Sequence, residues 1–230
     1  MTMVPSGPLV KICGLRTPEL AQATSDAGAD LIGFVFASSR RQVTAEQARD
    51  IIEALDGPAV PVGLFVDHSV EEINTTARRA GLEILQLHWR ADESDFQRFE
   101  LPYYAVRRTE PGATYDEIAP ELDRLLSSPN PPLWIMVDAY HPTQSGGTGH
   151  LADWELSRRL AASFPLMLAG GLNPENVANA IAQVRPAHVD VSSGVEVDGI
   201  KSPELVRAFV ANARAAFDTY SSASEITVQS

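Results

Sequence analysis

Several short stretches of this chain carry residue types suited to acid–base chemistry and anion binding. Cys13, the only cysteine, closes the apolar run LVKIC and is followed by Gly14. A free cysteine is often just a small buried hydrophobe. With Lys11 two residues back on the same run, it is also placed for a second use, because a nearby cation favours thiolate, the form of cysteine that acts as a base. Asp138 ends the run WIMV, where a carboxylate is costly unless it is paired or works as a general acid. Its other reading is a solvated loop acid or helix cap. LAGGLNPEN sets Gly170 and Gly171 directly before a helix start at Asn173, and DVSSGVE offers Ser192, Ser193 and Gly194. Glycine lets a backbone approach an anion closely, and helix-start N–H groups carry partial positive charge. Both stretches therefore suit a phosphate, although tight turns use the same residues. Gln86, His88 and Asp190 stand near the ends of similar apolar runs.

Other chemistries find little support. The five histidines (68, 88, 141, 150, 188) show neither HxH nor HExxH spacing, and there is no CxxC, so no metal is expected. Ser192-Ser193 lacks the GxSxG elbow of serine hydrolases. SGGTG (145–149) lacks P-loop spacing and reads as a mobile loop over a site or a plain connector. The net charge is −12, and the arginines fall in separate pairs rather than a basic stripe, which argues against nucleic acid. One cysteine forms no internal disulfide, the opening MTMVPSGP lacks a signal-peptide pattern, and no apolar run is long enough to span a membrane. The expectation is a soluble cytoplasmic protein acting on a small molecule, with no nucleic-acid or membrane partner, as a monomer or homodimer.

The elements that must hold these residues alternate along the chain. Eight apolar runs occur at 9–13, 30–36, 61–67, 83–88, 103–108, 132–139, 165–171 and 188–195. Most are continuous in Val, Ile, Leu and Phe, the pattern of strands covered on both faces. Between them lie helix-like stretches with start and stop signals, such as Thr17-Pro18-Glu19, TAEQARDIIEAL (44–55), SVEEINTTARRAG (69–81) and Asn173-Pro174-Glu175. Each interval has room for one strand and one helix, so the fold class is α/β, a single-domain (β/α)8 TIM barrel. An open doubly wound sheet is the second choice, and it normally uses fewer strands. The domain plan is a flexible N-terminus (1–8), a barrel (9–217) and a disordered tail (218–230). In such a barrel the active site lies at the carboxyl ends of the strands, where Cys13, Gln86, His88, Asp138 and Asp190 fall, and the loops after strands 7 and 8 frequently hold phosphate.

KICG at the end of strand 1, GADLIGFVF, LQLH, GGTG followed by DW, LAGGLNPENV and VDVSSGVE occur in this order from about Val10 to Phe209. Together they resemble the phosphoribosylanthranilate isomerase family of tryptophan biosynthesis. The resemblance implies an intramolecular aldose–ketose isomerisation, the Amadori rearrangement of N-(5′-phosphoribosyl)anthranilate to 1-(o-carboxyphenylamino)-1-deoxyribulose 5-phosphate, without cofactor or metal. It makes Cys13 the base that removes the C2′ proton and Asp138 the acid that protonates the ribose ring oxygen. Arg41 matches the arginine that pairs with the anthranilate carboxylate. Gly170, Gly171, Ser192, Ser193 and Gly194 match the phosphate loops, and Gln86, His88 and Asp190 line the same mouth. Three departures stand out: Trp89 where the family usually has glycine, His150 where it has lysine, and a short SSRR loop that offers Arg40 beside Arg41. They motivate a second reading, a paralogue acting on, or only binding, a related phosphorylated aminosugar.

Overall fold

In the computed structural model, which describes residues 5–88, 93–110, 112–138 and 151–228, each of the eight apolar runs is a strand. They are β1 (Leu9–Cys13), β2 (Leu31–Val35), β3 (Val60–Val66), β4 (Ile84–His88), β5 (Tyr103–Arg108), β6 (Ile135–Asp138), β7 (Leu166–Ala169) and β8 (His188–Val191). All neighbours pair in parallel, and β8 returns to β1 to close the barrel, with Lys11 opposite Asp190. The closed order excludes the open doubly wound sheet. Trp89 and the segment 139–150, with SGGTG and His150, lie outside the described residues.

Strand side chains alternate between two cores, as a pleat with a period of two requires. Leu9, Leu31, Val60, Val62, Ile84, Tyr104, Trp134, Met136 and Met167 fill the barrel interior. Val10, Ile12, Ile32, Phe34, Phe65, Leu85, Leu87, Val137 and Val189 face outward into the layer beneath the helices. Both faces of each strand are thus covered, which is why the runs read as continuous in apolar residues. Following the inward series up each strand leads to Cys13, Gln86, His88, Asp138 and Asp190.

The helices begin where the sequence signals them. α1 (Pro18–Asp26) follows the Thr17 cap, α2 (Ala45–Glu53) and α3 (Val70–Ala80) start on capping boxes at Thr44 and Ser69, and α3 stops at left-handed Gly81. α4 (Tyr115–Leu126) and α5 (Leu151–Ala161) follow β5 and β6. α6 (Val177–Val184) begins later than the Asn-Pro-Glu signal suggests. Asn173 still accepts the N–H groups of Glu175 and Asn176, which closes a turn before the helix proper. Between β4 and β5 the described residues hold a six-residue 3-10 helix (Glu93–Arg98) where an α-helix is expected. Phe96 and Phe99 cover Tyr103 there, with rings 5.3 and 5.6 Å away, so aromatic packing does the covering that helix length does elsewhere. α7 (Pro203–Val228) continues through most of the segment expected as a disordered tail. Residues 218–228 hold neither glycine nor proline to stop it. Between β8 and α7 lies a small hairpin, β9 (Glu196–Val197) and β10 (Ile200–Lys201).

Candidate active site

The inward residues at the carboxyl ends of the strands enclose a cavity of about 370 Å3. All the site residues expected from the sequence line it: Cys13, Arg41, Gln86, His88, Asp138, Gly170, Gly171, Asp190, Ser192, Ser193 and Gly194. They come from every part of the chain between β1 and the loop after β8, so the barrel closure alone brings them together. Arg41 reaches the cavity, whereas Arg40 is not among its lining residues and its side chain is 59% exposed. Among the described residues no three His, Cys, Asp or Glu side chains are grouped as a metal site.

At the cavity floor, above the apolar filling of the barrel, the interior carries a polar layer. Lys11 Nζ donates to Asp190 Oδ1 at 2.7 Å, with the lysine fully buried. Burial works against its charge, but Asp190, together with Cys13 and Tyr104, outweighs that effect and holds the ammonium above the ordinary lysine range. Tyr104 Oη donates to Gln86 Oε1 at 2.9 Å, which fixes the amide so that Gln86 Nε2 meets Met136 Sδ at 3.4 Å. Gly33 is required here. A Cβ on it would fall 2.9 Å from Cys13 Sγ and 3.0 Å from Lys11 Nζ. The thiol and the ammonium therefore share the space left by one missing methyl. His88 is pushed down to about 4, first by burial and then by the charges of Arg108 and Lys11, so its ring is neutral at pH 7.

On the β2 side, Arg41 packs against Gly14. Gly14 has φ +88, and a Cβ there would sit 2.5 Å from Arg41 Cδ. The guanidinium donates through Nε and Nη2 to the two oxygens of Glu196, at 2.6 and 2.8 Å. Lys201 Nζ binds the same carboxylate at 2.9 Å. Glu196 and Lys201 escaped the reading of the sequence, although a signal for them exists. Asp198-Gly199 is a two-residue hairpin turn, and both residues have positive φ, at 50 and 80. Such a turn sets the flanking Glu196 and Lys201 opposite each other, as observed. Arg108, another cavity residue, was also missed.

Opposite lie the loops after β7 and β8. Gly170 and Gly171 have φ of 91 and 67, a left-handed course open mainly to glycine. Gly194 is held against the other loop: a Cβ on it would fall 1.8 Å from the Leu172 carbonyl oxygen. Ser192 Oγ donates to the Cys13 carbonyl at 3.0 Å and so ties this wall to the end of β1.

A cavity with an acid, a thiol, an arginine and a glycine-lined wall suits proton transfer on an anionic small molecule. The family model described as N-(5'phosphoribosyl)anthranilate (PRA) isomerase matches residues 10–212. A protein of that name from Roseiflexus castenholzii is 44% identical over 215 residues, covering 90% of this chain and 99% of its own. Among solved structures, monomers generated from the dimeric isomerase of Thermotoga maritima superpose with a TM-score of 0.75 at 32% identity, covering 90% of this chain and 99% of theirs. A structure of such an isomerase in complex with reduced 1-(o-carboxyphenylamino)-1-deoxyribulose 5-phosphate gives the same TM-score, identity and coverage.

Proposed function

This chain belongs to the N-(5′-phosphoribosyl)anthranilate isomerase family, and we propose that it carries out that family's Amadori rearrangement with Cys13 as base and Asp138 as acid. The observation that carries the reading is that the thiol, the carboxyl and the two glycine-bearing loops line one cavity. The phosphate of the substrate lies on Gly170, Gly171, Ser192, Ser193 and Gly194, where small residues allow backbone N–H groups to reach it. Arg41 takes the anthranilate carboxylate through an edge that Glu196 leaves open. The ribose is then held between two anchors, with its C2′ toward β1 and its ring oxygen toward β6.

Asp138 gives its proton to the ring oxygen as the C1′–O bond breaks, leaving a C1′ iminium on the anthranilate nitrogen. The Cys13 thiolate removes the C2′ proton, and that electron pair moves to neutralise the iminium, giving an enamine. Tautomerisation of the enol at C2′ gives the ketose, and the protons return so that no atom is gained or lost. Fixing both ends of the sugar places the reacting carbon within reach of the base, where orientation supplies much of the rate. Three cations, Lys11, Arg41 and Lys201, interact electrostatically with a charge at Cys13. His88, Gln86 and Asp190 order the sugar hydroxyls.

Every residue in this scheme comes from one chain, so the site is complete in a monomer or a homodimer. No helix among the described residues is long and apolar enough to cross a membrane, and we assign the enzyme to the cytoplasm, where a lone thiol base stays reduced. The relatives carry the isomerase name and lend no support to a paralogue working on another aminosugar. The test is direct. Anthranilate fluorescence should fall when the purified protein is given N-(5′-phosphoribosyl)anthranilate, and an unchanged signal sinks the assignment.

A further inference from the structure

Glu196 is an acid at the edge of an active site, yet its side chain is only 4% exposed and its carboxylate carries three cations. Arg41 takes both oxygens, Lys201 takes Oε1 and Arg40 takes Oε2 at 2.6 Å. Burial raises a carboxyl's pKa, but the hydrogen bonds and charges of Arg41 and Lys201 outweigh it and hold Glu196 at about 2. Burial also pulls Lys201 below the ordinary lysine range even with Glu196 beside it, so its ammonium depends on that carboxylate. Lys201 Nζ donates further to the Ser192 carbonyl at 2.8 Å. One hydrogen-bonded path therefore runs from Arg41 through Glu196 and Lys201 to the loop after β8, and from Ser192 Oγ to the Cys13 carbonyl.

We infer that Glu196, braced by Lys201 across the Asp198-Gly199 turn, is a positioning residue that aims Arg41 at the substrate carboxylate and sets its distance from the phosphate loop. The inference rests on the reading of Arg41 as the carboxylate clamp. A free arginine side chain samples many rotamers, and holding it costs entropy at the moment of binding. Glu196 fixes it beforehand by gripping Nε and Nη2. That grip leaves Nη1 without a hydrogen-bond partner among the described residues. One of the three cations would suffice to neutralise the carboxylate, so the cluster keeps net positive charge for an incoming anion. The hairpin thus works as a spacer: one end holds the clamp and the other holds the loop on which the phosphate is proposed to lie.

The test compares two substrates, N-(5′-phosphoribosyl)anthranilate and N-(5′-phosphoribosyl)aniline, which lacks only the carboxylate. Glu196→Gln should raise KM for the first about tenfold or more while kcat changes little, because a misaimed clamp loses binding rather than acid–base chemistry. The aniline compound should be turned over by variant and parent alike. Equal losses on both substrates, or none on either, overturn the inference. Should Glu196→Gln not fold, Glu196→Asp keeps the charge for Lys201 but shortens the reach to Arg41. It must show the same selective rise in KM, and an unselective loss overturns the idea equally. Arg41→Ala separates the two readings. If its loss is selective for the carboxylated substrate while Glu196→Gln loses nothing, the clamp stands and the positioning role falls. If Arg41→Ala is itself unselective, the clamp reading falls and takes this inference with it.

Discussion

Lys11 Nζ lies 2.7 Å from Asp190 Oδ1 across the seam where the first and last strands close the barrel. The pair is buried at the cavity floor, so its attraction is little screened, and each charge depends on the other for solvation. Removing one partner leaves the other stranded. Lys11→Met is expected to cost about 3–5 kcal/mol in urea unfolding. Adding Asp190→Leu in the same chain should return much of that loss, since an apolar pair needs no solvation. A single-variant cost below about 1 kcal/mol would show that the seam does not need the pair.

Gly33 on β2 and Gly63 on the neighbouring β3 face different cores although both are strand glycines. A methyl on Gly33 meets Cys13 Sγ and Lys11 Nζ, while one on Gly63 meets Leu82, Phe65 and Phe36 in the outer core. Gly33→Ala should therefore lower kcat about tenfold or more by displacing the thiol, a misplacement of the kind that costs rate far beyond its size. Gly63→Ala should instead lower the unfolding temperature through overpacking and leave kcat near that of the parent. The reverse pattern in kinetics and thermal scans would refute this division of roles.

The barrel was legible because its strands are covered on both faces and its helices announce their starts. Eight apolar runs gave eight strands, and their inward alternation carried Cys13, Asp138 and Asp190 to one mouth. What the runs could not convey is pairing across the closure. Lys11 lies far along the chain from Asp190, and no local pattern joins them. The 3-10 helix among the described residues between β4 and β5 was also hidden, because aromatic cover by Phe96 and Phe99 has no helical period to betray it. Glu196 and Lys201 were within reach of the Asp-Gly signal, but a two-residue strand is too short for hydrophobic alternation to show.

Two histidines make stability depend on pH. His188 accepts the Leu9 N–H through Nδ1 at 3.1 Å and packs against Trp134, with ring centroids 4.7 Å apart. Burial pushes it down to about 4, as it does His88, where Arg108 and Lys11 add to the effect. The unfolded chain takes up these protons near pH 6.5, while the folded protein refuses them until about pH 4. The unfolded state thus binds more protons in that window, so stability falls as pH drops through it. Urea unfolding at pH 5 should show a loss of about 2 kcal/mol per histidine relative to pH 7. His188→Asn, which retains a side-chain acceptor, should remove about half of the difference. An unchanged pH dependence in that variant would mean that His188 is not the source.

The two proposed catalytic groups make different demands on the same reaction. Asp138 must hold a proton while the ring is closed, and Cys13 must lack one when C2′ is attacked. Neither can substitute for the other, because they stand on β6 and β1, separated by β7 and β8 around the barrel. Cys13→Ser keeps the shape but offers a hydroxyl that scarcely ionises at neutral pH. Asp138→Asn keeps hydrogen bonding but has no proton to give. Each should lower kcat by about 10²–10⁴-fold with the circular dichroism spectrum unchanged. The double variant should fall little below the worse single one, since steps that act as a unit are not additive. KM should hold in all three, because the phosphate loops and Arg41 are intact. A Cys13→Ser enzyme running near the parent rate would return that thiol to the role of a packed hydrophobe, and the base would have to be sought elsewhere on the cavity wall.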